Sequence, residues 1–203
     1  MGVPITHERK RDAAATKAKI LDAARRCISK GGYANTGIRD VAAEAGVSYA
    51  LPGRYFGSKA GLLEAALIAT LKAEPFLEIE RASFGENLAA LIIGTAENSR
   101  PMSMTVLSAG DPDARDVATR IVKASIVQPL AEWIGPPCAE ERAVAITMLG
   151  AGFVTHSQLI PLLGQPRSIS MQNPVARWLA ETFQMIVDEP ERWRDYATDA
   201  GSR

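Results

Sequence analysis

Between Thr36 and Leu63 the chain reads as short helical stretches cut by single glycines, and this punctuation narrows the folds open to it. Thr36 is an N-cap candidate, and Ile38, Val41, Ala42 and Ala45 follow at helical spacing until Gly46 stops the helix. Ser48 can cap a second segment that runs only to about Phe56. Gly57 breaks it, and Ser58 caps a longer helix bearing Leu62, Leu63, Ala66, Leu67, Ala69 and Leu71. Two short helices joined by a tight glycine-containing turn are the grammar of a helix-turn-helix. Ala42 and Ala45 are small enough for a close crossing, Gly46 permits the turn, and Val47 plugs the angle between the rods.

The rest of the chain is helical in pattern, with no strand signature. Upstream, residues 1–13 read as a flexible basic arm containing Arg9-Lys10-Arg11. Thr16 then caps a helix with Ile20, Leu21, Ala24, Cys27 and Ile28 on one stripe, ended by Gly31-Gly32. Downstream, helices are expected over residues 87–96, 101–109, 112–133, 140–160 and from Asn173-Pro174 through Ile186. The tail after Pro190 reads as charged and frayed. Residues 143–166 hold no Asp, Glu, Lys or Arg, but Thr155, His156, Ser157 and Gln158 sit together inside the stretch. Such a run is expensive in lipid, so the reading is a helix buried on most sides at a subunit interface, not a membrane span.

Net charge is zero, yet residues 1–60 carry 11 Lys/Arg against 5 Asp/Glu, a surplus of six that the remainder of the chain balances. A basic first third suits a polyanionic partner. Two cysteines and two histidines supply neither a disulfide framework nor a zinc ligand set, and no catalytic constellation stands out. The start of the chain lacks the apolar core of a secretion signal, so a cytoplasmic protein without cofactor or metal is expected.

Thr36 to Ser48, followed by Arg54-Tyr55-Phe56-Gly57-Ser58-Lys59-Ala60-Gly61-Leu62-Leu63, resembles the DNA-binding domain of the TetR (tetracycline-repressor-like) family. Ile20 to Ala24 and Gly32-Tyr33 match that family's first helix and its exit, so the resemblance spans roughly residues 14–70. It implies an all-α protein of about nine helices. A three-helix helix-turn-helix domain (14–57) would precede a helical effector-binding and dimerisation domain (58–190), with a charged tail (191–203). It further implies a homodimer, joined through helices around 140–163 and 173–187, that represses from a DNA operator until a small molecule releases it.

Recognition would fall to the helix starting at Ser48. Thr36 and Ser48 can each cap a helix and approach a phosphate, because helix N-termini attract anions. Tyr49 and Ala50 come first past the cap and are the base-edge candidates. Arg54, Tyr55 and Lys59 lie where the chain leaves the groove and should rest on the DNA backbone, while Arg39 would read a base or hold a phosphate. The family's usual bulky residue and tyrosine before Arg54 are here Pro52 and Gly53. Proline disfavours helical geometry in Leu51, and glycine lowers helix propensity, so the expectation is a short, loosened or kinked recognition helix that can restart at Pro52.

Met102, Met104, Leu107, Trp133, Met148, Phe153 and His156 are the expected lining of an apolar effector pocket. An activator or architectural regulator without an effector is the alternative function, and an all-helical enzyme the remote one.

Overall fold

A computed structural model of the chain describes residues 5–78, 80–94, 101–164 and 169–200. Every regular element among them is helical. Setting aside the one-turn α5 (Glu74–Leu77), and counting the unbroken rod α8–α9 once, leaves ten helices where about nine were expected. The chain divides into two compact units, Met1–Thr70 with Asn98–Thr119, and Leu71–Glu97 with Arg120–Arg203. The first helix after the DNA-binding segment therefore groups with that segment.

In the first unit α1 (Ile5–Gly31), α2 (Ile38–Glu44), α3 (Ala50–Phe56), α4 (Lys59–Thr70) and α7 (Pro101–Ser108) enclose one core. Ile20, Ala23, Ala24 and Ile28 of α1 meet Val41 and Ala42 of α2 and Leu62, Leu63, Ala66 and Leu67 of α4, all buried. The i, i+3, i+4 spacing that marks these residues in sequence is what turns them to one side of each helix. Full burial of each larger side chain contributes about 1.5–3 kcal/mol.

Three expectations for α1 are corrected. It begins at Ile5, so residues 5–13 are helical and not a loose arm, and residues 1–4 lie outside the described residues. Ala13-Ala14-Ala15 are strong helix formers placed just upstream of a helix already anchored in the core, so adding turns is favourable. Thr16 caps nothing; it sits inside α1 and its hydroxyl donates to the Asp12 carbonyl at 2.7 Å. At 27 residues α1, not the 140–160 segment, is the longest helix.

In the second unit α6 (Phe84–Gly94), α9 (Gln128–Ile134), α10 (Ala139–Val154), α11 (Pro174–Asp188) and α12 (Pro190–Ala200) follow one another. The rod that starts as α8 (Pro112–Val122) widens into a π-helical turn at Lys123–Val127 before continuing as α9. Pro129 cannot donate a backbone hydrogen bond, and the wider turn ahead of it absorbs the ring. Ala176, Leu179, Ala180, Phe183, Ile186 and Val187 line the buried face of α11. Asn173 caps that helix as expected, accepting from the Val175 amide at 2.9 Å. No described helix is long and apolar enough to cross a membrane.

Two features of this unit went unread in the sequence. Residues 190–200 form α12 and are not frayed. Pro190 is preset for a first helical position, and Glu191 suits the N-terminal end of the dipole while pairing with Arg194 at 2.5 Å. The second feature is a pair of arginines gathering helix-end carbonyls. Arg142 is 1% exposed and donates to Ile186 at 2.9 Å, Val187 at 2.7 Å, Gly135 at 3.1 Å and Pro137 at 3.3 Å. Arg81 donates to Trp133 and Ile134, both at 3.1 Å, and lies over the Trp133 ring. Burial pulls the Arg142 guanidinium below its ordinary pKa, and the neighbouring Arg81 adds to the effect.

Candidate nucleic-acid interface

The helix-turn-helix forms as its glycines require. At Gly46 the backbone takes φ +65°, where a side chain would be strained, and the Val47 amide turns back to the Ala42 carbonyl at 3.0 Å. Arg26 of α1 clamps the end of α2 through Glu44 at 2.7 Å. Ser58 caps α4 as expected, its hydroxyl accepting from the Gly61 amide at 3.0 Å. A side chain on Gly61 would come within 2.3 Å of the Phe56 carbonyl, so α3 and α4 meet with no room for one.

The recognition helix is short, as expected, at 7 residues, but it is regular from Ala50 through Phe56, so the kink with a restart at Pro52 is overturned. Pro52 occupies the first turn, where backbone amides have no intrahelical acceptor, so its missing N–H costs nothing. Its ring is buried, which adds a packing gain that the sequence argument left out. Gly53 has no atom within 4 Å of where a side chain would begin.

Around this helix the candidate residues fall into three groups. Tyr49 is 69% exposed, and Ala50, Arg54 and Arg39 are exposed with it. Ser48 is exposed but makes no side-chain cap; Tyr49 is the residue preceding α3. Tyr55 and Lys59 are half-buried. The Lys59 ammonium lies 4.1 Å from the centroid of the Tyr33 ring, and the Lys17 ammonium 5.4 Å from that of Tyr55. Thr36 differs from expectation. It is buried, its hydroxyl donates to the Gly32 carbonyl at 2.8 Å, and Gly37 takes the N-cap position, donating its amide to the Asp40 carboxylate at 2.8 Å. A hydroxyl placed after a glycine pair can close the preceding helix end as readily as open the next one.

Burial raises the pKa of the Cys27 thiol, with Glu44 adding to it, and that of the Tyr33 phenol, with Asp111 and Asp113 adding to it. A raised thiol pKa leaves less thiolate at neutral pH, in keeping with the place of Cys27 on the α1 stripe.

The expected effector residues are not brought into one set within either unit. Met102, Met104 and Leu107 share α7, with Met104 wholly buried. In the second unit Phe153 is buried and Trp133 stacks on Phe84 with centroids 4.9 Å apart. Met148 is 69% exposed and His156 is exposed as well. Met148 lies one turn from Val144, also exposed, so it belongs to an outward stripe of α10 and not to an interior lining of its unit.

Comparison with known proteins agrees with this geometry. Residues 20–66 match the model of bacterial regulatory proteins of the tetR family, and residues 82–187 match the tetracyclin repressor-like C-terminal domain. No curated protein matches the chain. Among solved structures, a TetR-family transcriptional regulator from Rhodococcus sp. is similar at a TM-score of 0.68 and 22% identity, over 86% of this chain and 100% of that one. A transcriptional regulator from Saccharomonospora viridis, in complex with choline, gives 0.57 and 23%, over 84% of this chain and 95% of that one. The multidrug binding protein EbrR, complexed with malachite green, gives 0.55 and 19%, over 84% and 96%. At these identities the structural likenesses establish the fold, while the C-terminal family model alone spans more than half of the sequence. The chain belongs to the tetR family of bacterial regulatory proteins: it is a DNA-binding transcriptional regulator and not an enzyme.

Proposed function

We propose that the protein is a homodimeric repressor that occupies a pseudo-palindromic operator and leaves it when a small apolar effector binds. One observation carries the DNA-facing part. The start of α3 presents Tyr49 at 69% exposure, beside exposed Ala50, Arg54 and Arg39. A large aromatic held out at a helix start, among cations, suits base edges flanked by phosphates. In this reading Tyr49 and Ala50 meet bases, while Arg39, Arg54 and Lys59 hold the backbone. Ser48 and Tyr55 lie beside them, and Thr36 contributes by shaping the turn rather than through its committed hydroxyl.

Homodimerisation is supported by the apolar side chains left outward in the second unit. Val144 and Met148 form a stripe on α10, and Val175, Trp178 and Met185 one on α11. These two helices are where the sequence placed the subunit interface. A two-fold pair would set the recognition helices on half-sites about 34–36 Å apart. The effector follows from kinship with ligand-binding regulators such as EbrR, and the protein would work in the cytoplasm beside its DNA.

The test begins with duplexes selected by the purified protein from a random pool, expected to be pseudo-palindromic. Arg54→Ala should then weaken all duplexes alike and lower the salt slope by about one, whereas Tyr49→Ala should relax discrimination between selected and scrambled sequences. Selection of nothing, or equal behaviour of both variants and the parent, overturns the assignment. Release by compounds screened on the bound complex tests the effector.

A further inference from the structure

The helix-turn-helix does not account for one cation next to the recognition helix. Lys17 belongs to α1, outside the two crossed rods, yet its ammonium stands 5.4 Å from the centroid of the Tyr55 ring on the last turn of α3. Lys17 is exposed, and Tyr55 is half-buried with its ring set edge-on to Phe56 at 6.4 Å between centroids. An ammonium over a ring face keeps hydrogens directed away from the ring, and the contact fixes an otherwise flexible side chain. Arg54, next to Tyr55 in sequence, is exposed too. Two other cations of α1 differ. Arg25 is paired with Asp22, and Arg26 is held by Glu44.

We propose that Lys17, seated on Tyr55, is a phosphate-binding point that extends the DNA interface from α3 onto α1. The inference rests on the reading that α3 meets DNA. Its content is that Tyr55 acts through Lys17, as a positioning residue, and that α1 grips the backbone while the start of α3 reads bases. A grip on the backbone carries no sequence information, so it should strengthen binding to every duplex by the same factor.

Lys19 provides an internal control. It is also exposed on α1, and two residues along a helix place it about 200° around the axis from Lys17. The experiment uses the full chain and a selected and a scrambled duplex, with affinity followed by fluorescence anisotropy from about 50 to about 200 mM salt. Lys17→Gln should lower the slope of log affinity against log salt by about 0.9 and weaken both duplexes about fourfold at the upper end. Lys17→Arg should restore the slope. Tyr55→Leu, which keeps the charge but removes its seat, should lower the slope in the same direction. Lys19→Gln should leave it unchanged. A Lys17→Gln slope equal to that of the parent overturns the proposal while leaving α3 on DNA. So does an equal loss from Lys19→Gln, which would mean a diffuse field and not a contact. If the parent binds no duplex in a salt-dependent way, the DNA-binding reading fails first and this inference with it.

Discussion

Replacing Arg142 by methionine should destabilise the second unit by about 3 kcal/mol. Two of its four bonds, to the Ile186 and Val187 carbonyls, are buried; the two to Gly135 and Pro137 are partly open to water. Ile186 and Val187 stand in the last turn of α11, where carbonyls have no intrahelical donor. Methionine fills much of the arginine stem's volume but offers no donor. The Ile186 carbonyl is left bare at about 1–3 kcal/mol, the Val187 carbonyl exchanges its short bond for the longer one from Arg81 at 3.4 Å, and the two partly open ones recover water bonds at little loss. Against this stands the relief of a desolvated charge that Asp188 compensates only in part, which brings the sum back toward about 3 kcal/mol. For a chain of this size that is a fall of about 6–12 °C in Tm. The assay is urea and thermal unfolding of parent, Arg142→Met and Arg142→Lys at one fixed protein concentration, since association shifts apparent stability. Lysine should fall between the others, because one ammonium cannot span carbonyls at two helix ends. A loss under about 1 kcal/mol for Arg142→Met would refute the reasoning, since it would mean that desolvation of the guanidinium cancels its bonds.

Three further predictions concern two glycines and a pair of weak acids. Gly53→Ala should stabilise the protein by up to about 1 kcal/mol, because the helix gains propensity and the new methyl meets nothing within 4 Å; a lower urea midpoint would contradict this. Gly61→Ala should do the reverse, by about 1–3 kcal/mol, and weaken duplex binding, since its Cβ would lie 2.3 Å from the Phe56 carbonyl and must push α3 aside. Cys27 and Tyr33 have raised pKa values in the fold, so the fold favours their neutral forms. Their contribution is complete below the unfolded values, about pH 8.5 and about pH 10, and fades as pH rises through the folded ones. A Cys27→Ala/Tyr33→Phe double variant should therefore lose less stability between about pH 8 and about pH 11 than the parent; equal losses would remove these groups as the cause.

The sequence was most informative where one local rule decided the outcome. Gly46 and Gly57 could only be turns, Ser58 and Asn173 could only help as caps, and the α1 and α4 stripes could only face inward. It misled where two rules competed. Pro52 reads as a helix breaker until its position within the first turn is known, and that depends on whether Ser48 or Tyr49 precedes the helix. Thr36 and Thr16 have side chains that cap forward or bond backward equally well, and the choice lies in tertiary packing. Arg142 and Arg81 could not be found at all, because a charged residue beside Glu141 or Glu80 looks like solvated surface. Their partners are carbonyls far along the chain, which leave no mark in composition. Met148 and His156 stand exposed on their unit for a related reason: a stretch without charges does not say which of its sides is covered.

The crossing of α6 and α11 carries a last consequence. A side chain on Gly85 would come within 2.1 Å of the Ala180 carbonyl, and the Gly85 amide donates to Gln184 at 2.9 Å. The two main chains thus bear directly on each other at Ala180, with the Gln184 side chain closing over the Gly85 amide. Such a contact acts as a pin in a pair of scissors: the rods can swivel about it but cannot slide past it. A swivel of α11 must turn around that point near its middle, so a small displacement at one end of α11 returns at the other reversed in sense and about equal in size.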